Sequence, residues 1–250
     1  MRPGSAIYPS LKGKRVVVTG GGSGIGAALV EGFVRQGSDV HFLDIAEADS
    51  RELVDRLEGA GPRPVFHLCN LKDAEAIADV FGQIGHVDVL ANNAGNDDRH
   101  TLDEVTPEYF DDRIAVNLKH MLFCAKAAAP RMKAVGGGSI INFGSISWHL
   151  GAKDLVVYEV AKAGIEGLTR ALARELGRDG IRVTCILPGN VRTPRQLKWY
   201  TPEGEAEIVA AQCLDGRIEP VDVAALTLFL ASDDARFCTA HNYFVDAGWR

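Results

Sequence analysis

The sequence predicts an α/β fold, a doubly wound parallel sheet of seven strands with helices on both faces. Three observations carry that expectation. Short β-branched runs alternate with longer stretches of helical period from Arg15 onward. Most of the runs are apolar almost throughout, as strands covered on both faces must be. No Pro/Ser-rich linker, internal repeat or low-complexity tract interrupts the alternation.

The elements follow in order. A strand at Val16–Thr19 feeds a glycine-rich turn and a helix over Gly24–Gln36. Strands at Val40–Asp44, Val65–Asn70 and Val87–Asn92 lead into helices over Glu47–Leu57, Asp73–Gly82 and Pro107–Val135. The fifth strand, Ser139–Phe143, precedes a helix over Asp154–Arg178, where Ile165, Leu168, Leu172 and Leu176 form one apolar stripe. A sixth strand spans Arg182–Leu187, and a helix over Val221–Ala231 and a strand at Tyr243–Asp246 close the chain. Parallel strands joined this way require right-handed crossovers. Two segments break the rhythm. Met1–Lys12, polar with two prolines, reads as an arm on the surface or on a neighbouring subunit. Pro188–Ile218 is long for a loop without function and reads as a substrate lid with a short helix near Glu203–Ala211. Residues 13–250 read as one domain.

Composition narrows the function classes. A hydrophobic fraction of 46% and a charged fraction of 24% are ordinary for a soluble globular chain. The net charge of −6 argues against a nucleic-acid or anionic-membrane surface. No run of apolar residues is long enough to span a bilayer, and the first ten residues lack an apolar signal core, so a cytoplasmic location is expected. The five cysteines are scattered and form no C-x-x-C pair, which signals neither zinc nor a redox dithiol; no metal is expected.

Thr19-Gly20-Gly21-Gly22-Ser23-Gly24-Ile25-Gly26 follows the first strand and opens the first helix. Helix N-termini present unpaired N–H groups and the positive end of a dipole, so a pyrophosphate can sit there once glycines let the backbone approach. The spacing is G-x-x-x-G-x-G rather than the common G-x-G-x-x-G. Asp44 ends the second strand, where a carboxylate can bind adenosine ribose hydroxyls and repel a 2′-phosphate. No Arg or Lys occupies the turn or the position after Asp44, which predicts NAD over NADP.

Tyr158 and Lys162 are spaced i, i+4 and share one helix face, and Ser145 lies just past the fifth strand. A phenol is too weak a base at neutral pH, and a neighbouring ammonium is expected to lower its pKa. With the glycine turn, these residues resemble the short-chain dehydrogenase/reductase family over about Leu11 to Gly248, which implies a Rossmann-like fold. The resemblance extends to Asn117, to Asn92-Asn93-Ala94-Gly95 and to Pro188-Gly189. It implies that Tyr158 is the catalytic base, that Ser145 binds the substrate oxygen and that Lys162 holds the nicotinamide ribose. It also implies that Asn117 anchors a water leading from Lys162 to solvent. The implied dinucleotide contacts are Gly20, Ser23, Gly24, Ile25, Gly26, Asp44, Ile45, Asn70, Leu71, Asn93, Ala94, Gly95, Tyr158, Lys162, Pro188, Gly189, Val191 and Thr193. Asn70 stands where the family usually has Asp, so it accepts from adenine without charge assistance. A homotetramer paired through the two long helices and the last strand is also implied.

The substrate is expected at the carboxyl ends of the strands. The segments there are Asn96-Asp97-Asp98-Arg99-His100, Ser147-Trp148-His149-Leu150, Asn190 and Trp199-Tyr200. Amides, carboxylates, imidazoles and aromatic faces suit a small polyhydroxylated ligand such as a sugar. Asn96, Trp148, His149 and Asn190, with Ser145 and Tyr158, are its candidate contacts. Arg99, Arg192, Arg195 and Lys198 leave a phosphorylated or carboxylated substrate open. Several stretches, among them Lys198–Ala206 and Asp246–Arg250, resemble pentose-oxidising members of the family. That resemblance implies oxidation of an aldopentose, D-xylose or L-arabinose, at its anomeric hydroxyl to a lactone. Two other functions share the fold. A reductase of a 3-oxoacyl thioester or other ketone would want an apolar or basic pocket. A silent NAD-binding sensor would have no need of a general base.

Overall fold

The computed structural model describes residues 6–198 and 200–249, with the backbone alone at Lys198. The start of the expected arm, Met1–Ser5, and the pocket candidate Trp199 lie outside the described residues, as does Arg250.

Seven strands form one parallel sheet in the order β3-β2-β1-β4-β5-β6-β7. They are β1 Arg15–Thr19, β2 Asp39–Asp44, β3 Val65–Leu68, β4 Val89–Asn92, β5 Gly138–Phe143, β6 Ile181–Pro188 and β7 Asn242–Val245. The order reverses between β1 and β4, and connections leave that point in opposite directions, opening a crevice above the carboxyl ends of the strands. The helices are α1 Gly24–Arg35, α2 Glu47–Arg56, α3 Ala74–Ile84, α4 Pro107–Ile114, α5 His120–Lys133, α6 Ser147–Leu150, α7 Val156–Leu176, α8 Pro202–Ala210 and α9 Pro220–Ala231.

Strand alternation builds two cores. In β1, Val16 and Val18 face one side, where they meet Phe33 of α1, Phe42 of β2 and Leu228 of α9. Val17 faces the other, among Leu43, Leu90, Ile140 and Met132. Burying each such side chain is worth roughly 1.5–3 kcal/mol. The α7 stripe runs along the second side, with Ile165 and Leu168 in one cluster and Leu172 and Leu176 in the next.

Several expected boundaries shift by a residue or two, and three departures have a clear local reason. β3 stops at Leu68 rather than Asn70, because the Asn70 side chain accepts from Lys72 N–H at 3.1 Å and turns the chain. α7 starts at Val156 rather than Asp154, since Asp154 has φ +63°, a left-handed conformation no helix admits. Its first turn is instead held by His100, whose Nε2 accepts the Val157 N–H at 3.1 Å. The single helix expected over Pro107–Val135 is broken: a π-helical turn at Ala115–Lys119 separates α4 from α5. Asn117 sits in that turn, and its amide donates back to the Arg113 carbonyl at 3.0 Å.

Candidate active site

The glycine turn is shaped by atoms that leave no room for side chains. Gly20 has φ +65°, and a Cβ there would stand 2.8 Å from Ala94 Cα. A Cβ on Gly26 would lie 1.8 Å from the Gly20 carbonyl oxygen. The turn is pinned by its neighbour strand: Asn93 Nδ2 donates to the Thr19 and Gly20 carbonyls, each at 3.0 Å. Thr19 Oγ1 accepts the N–H groups of Asn93 and Ala94 at 3.0 and 3.1 Å. The Asn93 Nδ2 group is thus committed to the turn.

That turn floors a cleft of about 760 Å³ above the sheet. Gly20, Ser23, Gly24, Ile25, Gly26, Asp44, Ile45, Asn70 and Leu71 line one end. Asn93, Ala94, Gly95, Pro188, Gly189, Val191 and Thr193 line its middle. Ser23 caps α1 without its side chain bonding the helix, so the hydroxyl is not consumed there. Asp44 is held rigidly at the end of β2: its two carboxylate oxygens accept from Gly22 N–H at 2.8 Å and Ala46 N–H at 2.9 Å. Ile45 beside it is 71% exposed, an apolar surface for a flat ring. A narrow glycine cradle at a helix N-terminus, a fixed carboxylate and an apolar platform fit a dinucleotide.

The other end gathers Ser145, Tyr158 and Lys162. Ser145 Oγ accepts from Ser147 N–H at 3.1 Å and keeps its proton to donate. Lys162 is buried, donates to the Phe143 carbonyl at 2.8 Å, and holds its Nζ 5.4 Å from the Tyr158 ring centre. Burial pushes the Lys162 ammonium down to about 8, against the opposing pull of Cys185 and Asp97. Burial pushes the Tyr158 phenol above its ordinary value, and Asp97 adds to this. A hydrogen bond from Ser145 and the charge of Arg195 act the other way. Where a lowering by Lys162 was expected, burial prevails and the phenol is raised.

Asn117 lies behind this group, fully buried. Its Nδ2 donates to the Asn96 and Arg113 carbonyls, both at 3.0 Å, and its Oδ1 accepts the Asn96 N–H at 2.8 Å. The side chain is thus locked between the Asn96 and Arg113 backbones. Gly95 lets it approach Lys162: a Cβ at 95 would be 3.2 Å from Asn117 Oδ1 and 3.4 Å from Lys162 Nζ.

A family model described as Enoyl-(Acyl carrier protein) reductase matches residues 20–250. The chain is 70% identical to D-xylose 1-dehydrogenase of Caulobacter vibrioides, over 98% of this chain and 99% of that protein. It is 44% identical to a probable galactose dehydrogenase of Rhizobium meliloti, over 98% of each. The chain belongs to the short-chain dehydrogenase/reductase family. Among solved members, 7α-hydroxysteroid dehydrogenase complexed with NADH and 7-oxo glycochenodeoxycholic acid superposes with a TM-score of 0.92 at 26% identity, covering 97% of this chain and 96% of that one. As a member of this family the protein is an oxidoreductase using a nicotinamide cofactor.

Within this dehydrogenase/reductase cleft the expected substrate contacts divide. Asn96 and Asn190 line it. Asn96 Oδ1 accepts from Arg195 at 3.0 Å, and Asn190 Oδ1 accepts from Arg217 at 2.9 Å and from the Tyr200 hydroxyl. Trp148 and His149 do not line it. The short α6 turns both rings toward α7, where they contact Glu166 Oε1 at 2.7 and 3.0 Å, tilted against each other with their centres 3.8 Å apart. His100 likewise serves α7 and is buried against Tyr109, 2.9 Å away. Asp97, part of the Asn96–His100 segment expected at the strand ends, lines the cleft, and so do Gln196 and Trp249, which were not among the expected substrate contacts. No residue spacing flags Gln196 or Trp249, because Gln196 opens a single 3₁₀ turn of the 188–218 segment and Trp249 follows the last strand. Among the described residues no group of three His, Cys, Asp or Glu could hold a metal ion. Among the described residues, likewise, no helix is long and apolar enough to cross a membrane.

Proposed function

We propose that the protein oxidises an aldopentose, D-xylose or L-arabinose, at its anomeric hydroxyl with NAD, releasing the aldonolactone. The observation that carries this reading is the charge state of the cleft wall. Arg195 pairs with Asp97 at 3.1 Å and Asp98 at 2.5 Å, and Arg113 pairs with Asp112 and Asp98. Arg99 donates to the Lys153 carbonyl at 2.9 Å, and Arg192, outside the cleft lining, meets Glu205 and Glu219. The arginines that left an anionic substrate open from sequence are thus already engaged, which favours a neutral polyol. The Trp249 ring supplies an apolar face for the sugar C–H groups. The 70% identity to a D-xylose 1-dehydrogenase supports the same choice.

The chemistry follows from three side chains. Ser145, its oxygen fixed by Ser147 N–H, donates to the anomeric oxygen and sets it against the Tyr158 hydroxyl. Tyr158 removes the hydroxyl proton as the C1–H bond breaks, and the electron pair left behind closes the C1=O of the lactone. Lys162, with a pKa near neutrality, passes that proton on. A bound nicotinamide supplies the hydride acceptor and a positive charge beside the phenol. NAD is favoured over NADP because Asp44 faces the ribose end with no basic residue at Ser23 or Ile45.

Residues 13–250 act as one catalytic domain, with 188–218 as its lid. The base of this lid is pinned where Val191 bridges Ile218, and Arg192 N–H donates to the Ile218 carbonyl at 2.8 Å. Phe110, Leu122, Val156 and Val160 are exposed on α4, α5 and α7, which suits pairing of these helices in a cytoplasmic homotetramer; sedimentation as a monomer would refute it. The deciding assay follows reduced-cofactor formation with D-xylose and L-arabinose, with NAD and NADP in parallel. Strong NAD-linked turnover of the pentoses is expected. Silence on every sugar, with turnover of a 3-oxoacyl thioester, would overturn the proposal.

A further inference from the structure

Asp97 is an acidic group of the cleft that the chemistry above does not use. It follows β4 and lines the same cleft as Ser145 and Tyr158. Tyr158 and Lys162 line that cleft too, and the Asp97 charge acts on both. Two lid residues, far away in sequence, fix its orientation. Arg195 Nε lies 3.1 Å from one carboxylate oxygen, and Gln196 Nε2 donates to the other at 2.6 Å. Gln196 is in turn steadied through its Oε1, which accepts from the Tyr200 hydroxyl at 3.0 Å. The same Arg195 also reaches Asp98 and Asn96, so it is shared among three acceptors and does not saturate Asp97. A carboxylate offers about four acceptor positions, and two are filled. The side chain remains 30% exposed, toward the cleft it lines.

A carboxylate with free lone pairs, fixed and partly neutralised beside a general base, is matched to hydroxyl donors. It is mismatched to carboxylates and phosphates, which have no proton to give. We propose that Asp97 is a specificity-determining residue, accepting a sugar hydroxyl other than the one oxidised while Arg195 and Gln196 hold it in place. This rests on the pentose-oxidation reading. It adds a consequence: because Asp97 belongs to the β4 loop and its supports to the lid, the sugar is gripped only when the two walls meet. Lid closure and hydroxyl recognition become one event.

The test is a cycle of substrate and protein changes. Wild type, Asp97→Ala and the nearly isosteric Asp97→Asn are assayed for kcat/KM on D-xylose and on its 2-, 3- and 4-deoxy analogues. NADH binding and thermal melting are measured on each protein to establish that it is folded. A hydrogen bond to a charged acceptor predicts that one analogue falls roughly 10- to 100-fold below D-xylose in wild type. Asp97→Ala should lose a similar factor on D-xylose and nothing further on that analogue, with Asp97→Asn in between. If every analogue keeps its full penalty in both folded variants, Asp97 does not hold a hydroxyl and this inference fails while pentose oxidation stands. If wild type turns over no aldose, both fail together. Should Asp97→Ala not fold, Asp97→Asn alone decides, by whether one penalty shrinks several-fold.

Discussion

Tyr158 shows how a single side chain is left poised by its surroundings. Burial holds its proton on, so the phenol needs Ser145, Arg195 and the charge of a bound cofactor before it can act as a base. Replacing Tyr158 by Phe removes the base of the proposed step; turnover should fall by roughly 100- to 10,000-fold. NADH binding, followed by fluorescence, should persist, because the glycine cradle lies at the other end of the cleft. Retained turnover would refute its role. Gly26→Ala should do the opposite. A methyl 1.8 Å from the Gly20 carbonyl forces the turn to open, so dinucleotide affinity should collapse, with a stability loss of about 1–3 kcal/mol in a melt. Tyr158, Lys162, Ser145 and the glycines were legible because each sits at a spacing fixed by a helix or a strand end. That Trp148 and His149 turn to Glu166 rather than to the cleft was not legible, because a four-residue helix has no periodicity from which to read its direction.

Elements are held at their ends by residues that sequence reading assigned to the ligand. His100 caps α7 from a distant loop, taking the Val157 N–H that Asp154, in a left-handed conformation, does not. His100→Ala leaves that buried donor unpaired and should cost about 1–2 kcal/mol in chemical denaturation. It should also raise KM more than it lowers NADH affinity, since α7 carries Tyr158. An unchanged midpoint would mean the cap contributes nothing. The 188–218 segment was legible as an insertion, with its helix at Pro202–Ala210 close to the expected place. Its inner wiring was not. Pairings such as Arg195 with Asp97 and Asp98 join loops 97 residues or more apart, and nothing local in the sequence encodes them.

The whole sheet was legible because hydrophobic runs, not individual contacts, define a parallel α/β core. One buried group now ties the stability of the entire molecule to pH. His120 is fully enclosed, and burial with the nearby Lys162 charge pushes it from 6.5 down to about 3, despite the Ala115 and Val116 carbonyls. The unfolded chain therefore binds a proton there that the folded one refuses. Its contribution is complete above pH 6.5 and is lost as pH falls toward 3, by up to about 1.4 kcal/mol per unit. Comparing denaturant midpoints of wild type and His120→Gln across that window should show the shallower slope in the variant; equal slopes would exclude His120.

The turn at Ala115–Lys119 that precedes His120 has a consequence for how the chain tolerates length changes. A regular helix advances about 100° per residue, so an ordinary insertion would swing everything downstream off the sheet. A π-helical turn absorbs one extra residue and lets α4 and α5 keep phase on either side. A chain shortened by one residue between Ala115 and Lys119 should thus form an unbroken helix and melt cooperatively with its core intact. It would lose the Asn117 grip on Asn96, and with it turnover. The scaffold and the catalytic machinery would be separable by a single deleted codon.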